Sequence, residues 1–277
     1  MQSVLVQGRV TRRDISGVAV CCGPPADWVA AIDGRISKEP TCLAYVNTHT
    51  AYLLARDESY RSICRQFTLL NDGIGLDILS LIKYGRSFEF NLNGSDFTPF
   101  FLRTTRHRFR IFLLGGKPGV AERAAIAMRR IAPQHKYVGT HRGHLDASAE
   151  REVADRIRAT QANLVIVGFG NPDQEIWMAK YARELGVDLV IGVGALLDFQ
   201  AGSIPRAPGW MQRVRAEWLH RLVLEPKRLW KRYVVYTPLL ILQALAEKRS
   251  RHRWISSIFG LGLLVLTDID IVECRSA

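Results

Sequence analysis

Short apolar runs alternate along the chain with segments whose apolar residues recur at helical spacing. Arg110-Ile111-Phe112-Leu113-Leu114 ends in Gly115-Gly116-Lys117-Pro118-Gly119, after which Val120, Ala124, Ala127, Met128 and Ile131 fall on one helical face. Leu164 to Val167 runs into Gly168-Phe169-Gly170-Asn171-Pro172-Asp173, and a helix from Gln174 carries Ile176, Ala179 and Tyr181 to Leu185. Leu189 to Val193 leads through Gly194-Ala195 into Leu196-Leu197-Asp198-Phe199. Upstream, Ala44-Tyr45-Val46 precedes Asn47-Thr48-His49-Thr50 and one helix through Leu53, Leu54 and Tyr60; Thr68-Leu69-Leu70 precedes Asn71-Asp72-Gly73-Ile74-Gly75 and a helix to Ile82. A further strand near Lys136-Tyr137-Val138 is expected to end at Gly139-Thr140. Buried strands alternating with helices predict an α/β fold, a Rossmann-like doubly wound parallel sheet with helices on both faces. In such sheets ligands bind beyond the carboxyl ends of the strands, where the loops of Gly, Asn, Asp and Thr must gather.

Charge divides this picture in two. Of the net charge of +12, nine lie between Arg206 and Arg253, where twelve Lys or Arg face three acids. The rest of the chain is nearly neutral. The expected division is an α/β domain over 1–205, a basic amphipathic helical appendage over 206–253 and an apolar tail over 254–277. In the appendage Trp210, Val214, Trp218 and Leu222 make a stripe at steps of four, with Arg213, Arg215, Arg221, Arg228 and Arg232 around it, and Pro226 is expected to break the helix. Such a stripe can pack on the body, with Glu217 and Arg221 as an i,i+4 ion pair, or lie in an anionic membrane interface with its indoles at headgroup depth. The residues leave both readings open.

Composition sets bounds. At 277 residues and 48% hydrophobic content the chain can bury a large core, which excludes disorder. The longest uncharged apolar stretch, 254–266, is short of the roughly 20 residues a membrane-spanning helix needs, and no secretory signal is read at the N-terminus. Five cysteines, odd in number and without CxxC spacing, disfavour a disulfide framework or a structural zinc site and point to a reducing compartment.

Three clusters could carry chemistry. The Gly115-Gly116-Lys117-Pro118-Gly119 turn places backbone N–H groups at a helix N-terminus suited to a diphosphate, though it is neither a P-loop nor a dinucleotide fingerprint, and a ligand-free turn explains it as well. Asp72, directly after a strand, can serve as a base toward a substrate hydroxyl or simply open a turn. His141, His144 and Asp146 are the most metal-like group, but their spacing fits no helical metal motif, and solvated loop histidines are the default. A nucleic-acid-binding protein would need stacking or groove-reading elements, which are not found, and an oxidoreductase would need the missing fingerprint.

The motifs Asn71-Asp72-Gly73-Ile74-Gly75, Asn93-Gly94-Ser95-Asp96, Phe112-Leu113-Leu114-Gly115-Gly116, Gly168-Phe169-Gly170-Asn171-Pro172-Asp173-Gln174-Glu175, Gly192-Val193-Gly194-Ala195 and Arg206-Ala207-Pro208-Gly209-Trp210-Met211 stand in this order. Together, over about residues 40 to 240, they resemble the WecG/TagA/CpsF glycosyltransferases, family 26. The Asn47-Thr48-His49 and Asn91-Leu92-Asn93-Gly94 forms look like the branch containing GumM. The resemblance implies a peripheral enzyme at the cytoplasmic face of the inner membrane, in exopolysaccharide or other surface-polysaccharide synthesis. It would move a hexose with inversion from a UDP-sugar to a polyprenyl-diphosphate-linked monosaccharide. Glucose is favoured by the branch and N-acetylmannosamine by the wider family. Neither metal nor cofactor nor nucleic acid is expected, and the chain could form a homo-oligomer.

Carried onto this sequence, Asp72 matches the family's general base, Gln174 its active-site glutamine and Asn47 the asparagine of its first motif, while Arg221 and Arg228 match arginines that the appendage brings to the site. Gly115, Gly116, Gly170 and Asn171 are expected to line the UDP pocket. Two positions depart from the pattern: Tyr45 stands where many members have threonine, and Asn91 where many have arginine. The second removes a cation from the leaving diphosphate, which appendage arginines could replace. One base on the acceptor hydroxyl and compensation for charge on departing UDP suffice for a single displacement.

Overall fold

The computed structural model describes residues 11–36, 38, 40–143, 146–213 and 216–249. In chain order it contains β1 (Thr11–Ile15), β2 (Val18–Cys22), α1 (Pro25–Asp33), β3 (Thr41–Val46), α2 (Thr48–Arg56), α3 (Glu58–Cys64), β4 (Thr68–Asn71), α4 (Ile74–Tyr84) and α5 (Gly94–Thr104). There follow β5 (Arg110–Gly115), α6 (Val120–Ile131), β6 (Lys136–His141), α7 (Ala147–Ala159), β7 (Leu164–Gly168), α8 (Asp173–Tyr181), β8 (Leu189–Gly192) and α9 (Leu196–Gln200). The basic segment forms α10 (Gly209–Arg213), α11 (Glu217–Leu224), α12 (Pro226–Trp230), a wider π-type turn over Lys231–Tyr236 and a closing helix over 237–249.

One eight-stranded sheet runs β1-β2-β4-β3-β8-β7-β5-β6, parallel throughout except for the antiparallel β1–β2 hairpin at one edge. Strand side chains alternate between the two faces, as the two-residue period requires. Leu43, Tyr45, Ile111, Leu113, Ile166 and Ile191 join a core with residues of α1, α5, α6 and α9. Ala44, Val46 and Leu69 pack with α2, α3 and α4, and Phe112, Leu114, Val165 and Val167 with α7 and α8. Helices on both faces of a mostly parallel sheet make this the expected doubly wound α/β fold.

Local differences have local causes. The single helix expected through Tyr60 is two, because Asp57 leaves the helical region and its Oδ1 accepts the Tyr60 N–H at 3.0 Å, starting a new helix. The strand expected to stop at Gly139-Thr140 continues to His141. Gly139 lies inside it because a side chain there would meet the Phe112 ring, at a shift in the β5–β6 register. Pro226 does break the appendage helix, at the α11–α12 boundary. The stripe from Trp210 is not continuous, since α10 ends at Arg213 and α11 starts at Glu217; Val214 and Arg215 lie outside the described residues.

The basic segment returns to the body. Thr237 Oγ1 bonds Thr48 Oγ1 at 3.1 Å, Tyr236 stacks on Tyr52 at 4.2 Å, and Leu240 and Ala244 enter the core beside Leu76 and Leu79. No helix among the described residues is long and apolar enough to cross a membrane. The apolar stretch 254–266 lies outside the described residues. Cys21, Cys22, Cys42 and Cys64 carry free thiols.

Candidate active site

Beyond the carboxyl ends of β3 and β4 lies a cleft of about 340 Å³, walled on one side by the loops after those strands and on the other by the returning basic segment. Asp72, the residue after β4, lines it. Its backbone N–H bonds the Val46 carbonyl at 2.9 Å, which continues the β3–β4 pairing one residue past the strand. The turn that follows is held from outside, since Gly73 N–H donates to Asn91 Oδ1 at 2.9 Å.

Asn47 caps α2, its Oδ1 accepting from Thr50 N–H at 3.1 Å and Thr50 Oγ1 at 3.3 Å. The same side chain is hydrogen-bonded to Asp72; because the Asp72 carboxylate accepts, the Asn47 Nδ2 donates. Burial raises the Asp72 carboxyl from the usual range to about 6, with Glu217 and Asp96 adding to the rise, while Arg221 and the Asn47 bond oppose it. A carboxyl held there is ionised at neutral pH yet remains basic enough to take a proton.

The opposite wall supplies cations. Arg221, on α11, lines the cleft, stands 5.6 Å from the Phe199 ring, and has a buried Nε without a hydrogen-bond partner among the described residues. Arg232 lines the same space; burial, helped by the Arg232 charge, pushes the His49 imidazole down to about 4, so that His49 is neutral near pH 7. Arg206 stands between Asp96 at 2.8 Å and Glu217 at 3.6 Å, tying the segment to α5. Glu217 therefore turns to Arg206, and the expected Glu217–Arg221 pair does not form. Arg228 is on α12 by its backbone.

Among the wall residues not singled out from the sequence as site residues are His49, Arg232, Trp218 and Tyr233. Trp218, which the sequence left open between packing on the body and a membrane contact, lines the cleft with its ring 5.4 Å from that of Tyr233, whereas Trp210 is 61% exposed. The Asn-Thr-His motif could have pointed to His49; nothing local in the sequence marks Arg232 or Tyr233, because only the fold-back through the π-type turn brings them in.

The remaining expected residues gather elsewhere. Gly115, Gly116, Gly170, Asn171 and Gln174 do not wall this cleft; they meet further along the same sheet edge, at the ends of β5, β7 and β8. At Gly115, where φ is +153°, a Cβ would fall 2.6 Å from the Gly168 carbonyl oxygen, so only glycine lets the two loops touch. Gly116 N–H is spent on that carbonyl at 3.3 Å and its own carbonyl on Gly143 N–H at 2.8 Å, so this N–H is not free for a phosphate. Gln174, 2% exposed, accepts from Gly194 N–H at 2.9 Å and Gly170 N–H at 3.3 Å, and donates to Glu175 at 2.7 Å. Its amide thereby staples the loops after β7 and β8.

Glu175, 1% exposed, also accepts from Asn171 Nδ2 at 2.6 Å and the Tyr60 hydroxyl at 3.0 Å. Burial pushes it up to about 7 against those hydrogen bonds. The folded state thus keeps a proton that the unfolded chain releases near 4.5, and the contribution of Glu175 to stability falls as pH rises from about 4.5 to 7. The difference in melting temperature between Glu175→Gln and the natural protein is expected to shift in the variant's favour across that window. A pH-independent difference in thermal unfolding would contradict it.

Of the metal-like group weighed from the sequence, only His141 and Asp146 lie among the described residues. Asp146 caps α7 through Ala149 N–H at 2.8 Å, His141 Nδ1 is paired with the Arg142 carbonyl, and His144 lies outside the described residues. No group of three His, Cys, Asp or Glu residues among the described ones is placed to hold a metal ion. The departures from the family pattern are accommodated. The Tyr45 hydroxyl bonds Thr98 Oγ1 at 2.9 Å with its ring against Gly94, and Asn91, in place of arginine, braces the Asp72-Gly73 turn while Arg221 and Arg232 supply the cations.

The glycosyl transferase WecG/TagA/CpsF family model matches residues 13–254. An N-acetylglucosaminyldiphosphoundecaprenol N-acetyl-β-D-mannosaminyltransferase of Bacillus subtilis (strain 168) is 29% identical over 211 residues, 76% of this chain and 80% of the relative. Enzymes of the same name from Bacillus spizizenii and Staphylococcus aureus (strain NCTC 8325) are 29% and 26% identical, covering 66% and 70% of this chain and 69% and 73% of their own.

Proposed function

The chain belongs to the WecG/TagA/CpsF glycosyltransferase family, and from that premise we propose that it transfers N-acetylmannosamine from a UDP-linked donor to an N-acetylglucosaminyl-diphospho-polyprenol. The reading is supported by the relatives' shared activity, which favours N-acetylmannosamine over the glucose suggested by the GumM-like motifs. The β configuration in their names is the one a single displacement on an α-linked nucleotide sugar leaves.

The observation that carries the mechanism is one cleft in which Asp72, raised to about 6, faces Arg221. Asp72 takes the proton from the attacking hydroxyl of the acceptor as that oxygen bonds to the anomeric carbon. The bond to UDP breaks on the opposite side, and Arg221 and Arg232 compensate the charge developing on the departing diphosphate. Asn47 holds the Asp72 carboxylate toward the acceptor, and Gln174 acts at a distance by fixing the loops with Gly115, Gly116, Gly170 and Asn171 that border the donor. Arg228 adds to the positive field from α12. No metal takes part in this scheme.

The same basic segment, from residue 206 on, is proposed to rest on anionic lipid at the cytoplasmic face of the membrane, where each basic residue outside the cleft that reaches the surface contributes on the order of 1 kcal/mol. Turnover with UDP-N-acetylmannosamine is expected to exceed that with UDP-glucose on a synthetic N-acetylglucosaminyl-diphospho-lipid and to persist in EDTA. Preference for UDP-glucose would restore the GumM-like reading, and loss of turnover in EDTA with recovery on Mn²⁺ would overturn the metal-free scheme.

A further inference from the structure

Two helices leave the cleft side by side. α4 starts there, with Ile74 and Ile78 among the cleft walls, and the closing helix starts there at Thr237. Leu240 and Ala244 pack in the same core as Leu76 and Leu79, and Glu247 meets Lys83 at 3.5 Å near the end of α4, so the two helices run in the same direction. Each turns an aliphatic row outward: Ile74, Ile78 and Leu81 on α4, and Leu239, Leu242 and Leu245 on the closing helix. Leu81 is 53% exposed and Leu242 61%. Both rows lie opposite the residues their helices bury. They extend roughly 10 Å at 1.5 Å per residue. Beyond buried Asp77 on the inner side of α4, the two helices carry charge only at the far end, in Lys83, Glu247, Lys248 and Arg249.

Contiguous exposed apolar rows mark a binding surface when they form one patch. This one begins inside the catalytic cleft. We propose that the paired outer faces of α4 and the closing helix form an apolar track along which the polyprenyl chain of the acceptor leaves the active site. The assignment rests on the lipid-linked acceptor of the proposed function. The acceptor whose hydroxyl reaches Asp72 carries its own diphosphate and lipid chain out of the same cleft, and Ile74 and Ile78 are aliphatic side chains of its wall at the start of α4. The continuity of the rows with the cleft, and the absence of charge until their far end, fit a single long hydrocarbon chain aligned with the helices.

The test compares two acceptors in detergent solution, one with a long polyprenyl chain and one whose lipid is too short to pass Ile78, using the full chain and the double variant Leu81→Ser, Leu242→Ser. Neither residue walls the cleft. The variant is expected to raise KM for the long acceptor about tenfold, the cost of losing two aliphatic contacts, and to leave KM for the short acceptor, KM for the donor and kcat within twofold. Equal changes for both acceptors, or none for either, would overturn the track. Loss of binding to acceptor-free anionic vesicles without a change in chain-length preference would make the rows a bilayer contact instead. Truncation after residue 253 that raised turnover on both acceptors equally would assign the rows to the C-terminal segment of the chain itself. A natural protein inactive on either acceptor would remove the lipid-linked reading, and the track with it.

Discussion

Asp72→Asn is expected to lower turnover by about 10³-fold or more while leaving the folded protein as stable as the natural one, or more so. The loss follows from removing the carboxylate proposed to take the acceptor proton, since a positioned general base contributes roughly 10²–10⁴. The stability follows from the sign of its shift. With its carboxyl raised from 3.8 to about 6, the folded protein holds a proton that the unfolded chain has released, so ionising Asp72 between those values costs stability. At neutral pH that cost is on the order of 1–3 kcal/mol, and asparagine, neutral and able to accept from Asn47, removes it. Turnover of the variant within tenfold of natural would show that another group is the base; a large drop in melting temperature would show that Asp72 is structural.

Arg221→Ala is expected to lower kcat by roughly 10²–10³ on a water-soluble, short-chain acceptor with no membrane present, the range found when one group that stabilises developing negative charge is lost. The residue sits opposite Asp72, its Nε buried without a partner among the described residues, in a wall whose other cation at the cleft is Arg232, while His49 on the Asp72 side is neutral. Because Arg221 opposes the rise of the Asp72 carboxyl, its loss is also expected to push that carboxyl higher. Trp218→Ala, in the same wall, should weaken turnover as well as any membrane contact. Full activity of Arg221→Ala on the soluble acceptor, with defects confined to vesicles, would reduce the basic segment to an anchor.

The parallel strands, the turns after them and the position of Asp72 were legible in the sequence because each is set by contiguous residues: an apolar run, then Asn-Asp-Gly, then a helix. The cleft's second wall was not. Arg232, Tyr233 and Thr237 reach Asp72 through a fold-back whose determinants are contacts between distant residues, Thr237 with Thr48 and Tyr236 with Tyr52. The even spacing of Trp210, Val214, Trp218 and Leu222 suggested one continuous face, but the break between α10 and α11 separates exposed Trp210 from Trp218 in the cleft. Asn91 was read as a lost cation, whereas its role in bracing Gly73 depends on residues eighteen positions apart. Gln174 stood out in its motif, but not its use as a staple between loops outside the cleft, which needs the positions of Gly170, Gly194 and Glu175 together.

The central claim, that Asp72 acts as the base in a cleft completed by Arg221, is tested most directly by the pH dependence of kcat/KM, which reports groups in the free enzyme. For the natural protein with a short-chain acceptor, kcat/KM is expected to rise to a plateau through a single limb with its midpoint near 6, and in Arg221→Ala that midpoint should move to higher pH. A profile flat between pH 4.5 and 8, or a midpoint unchanged by the loss of Arg221, would contradict the account.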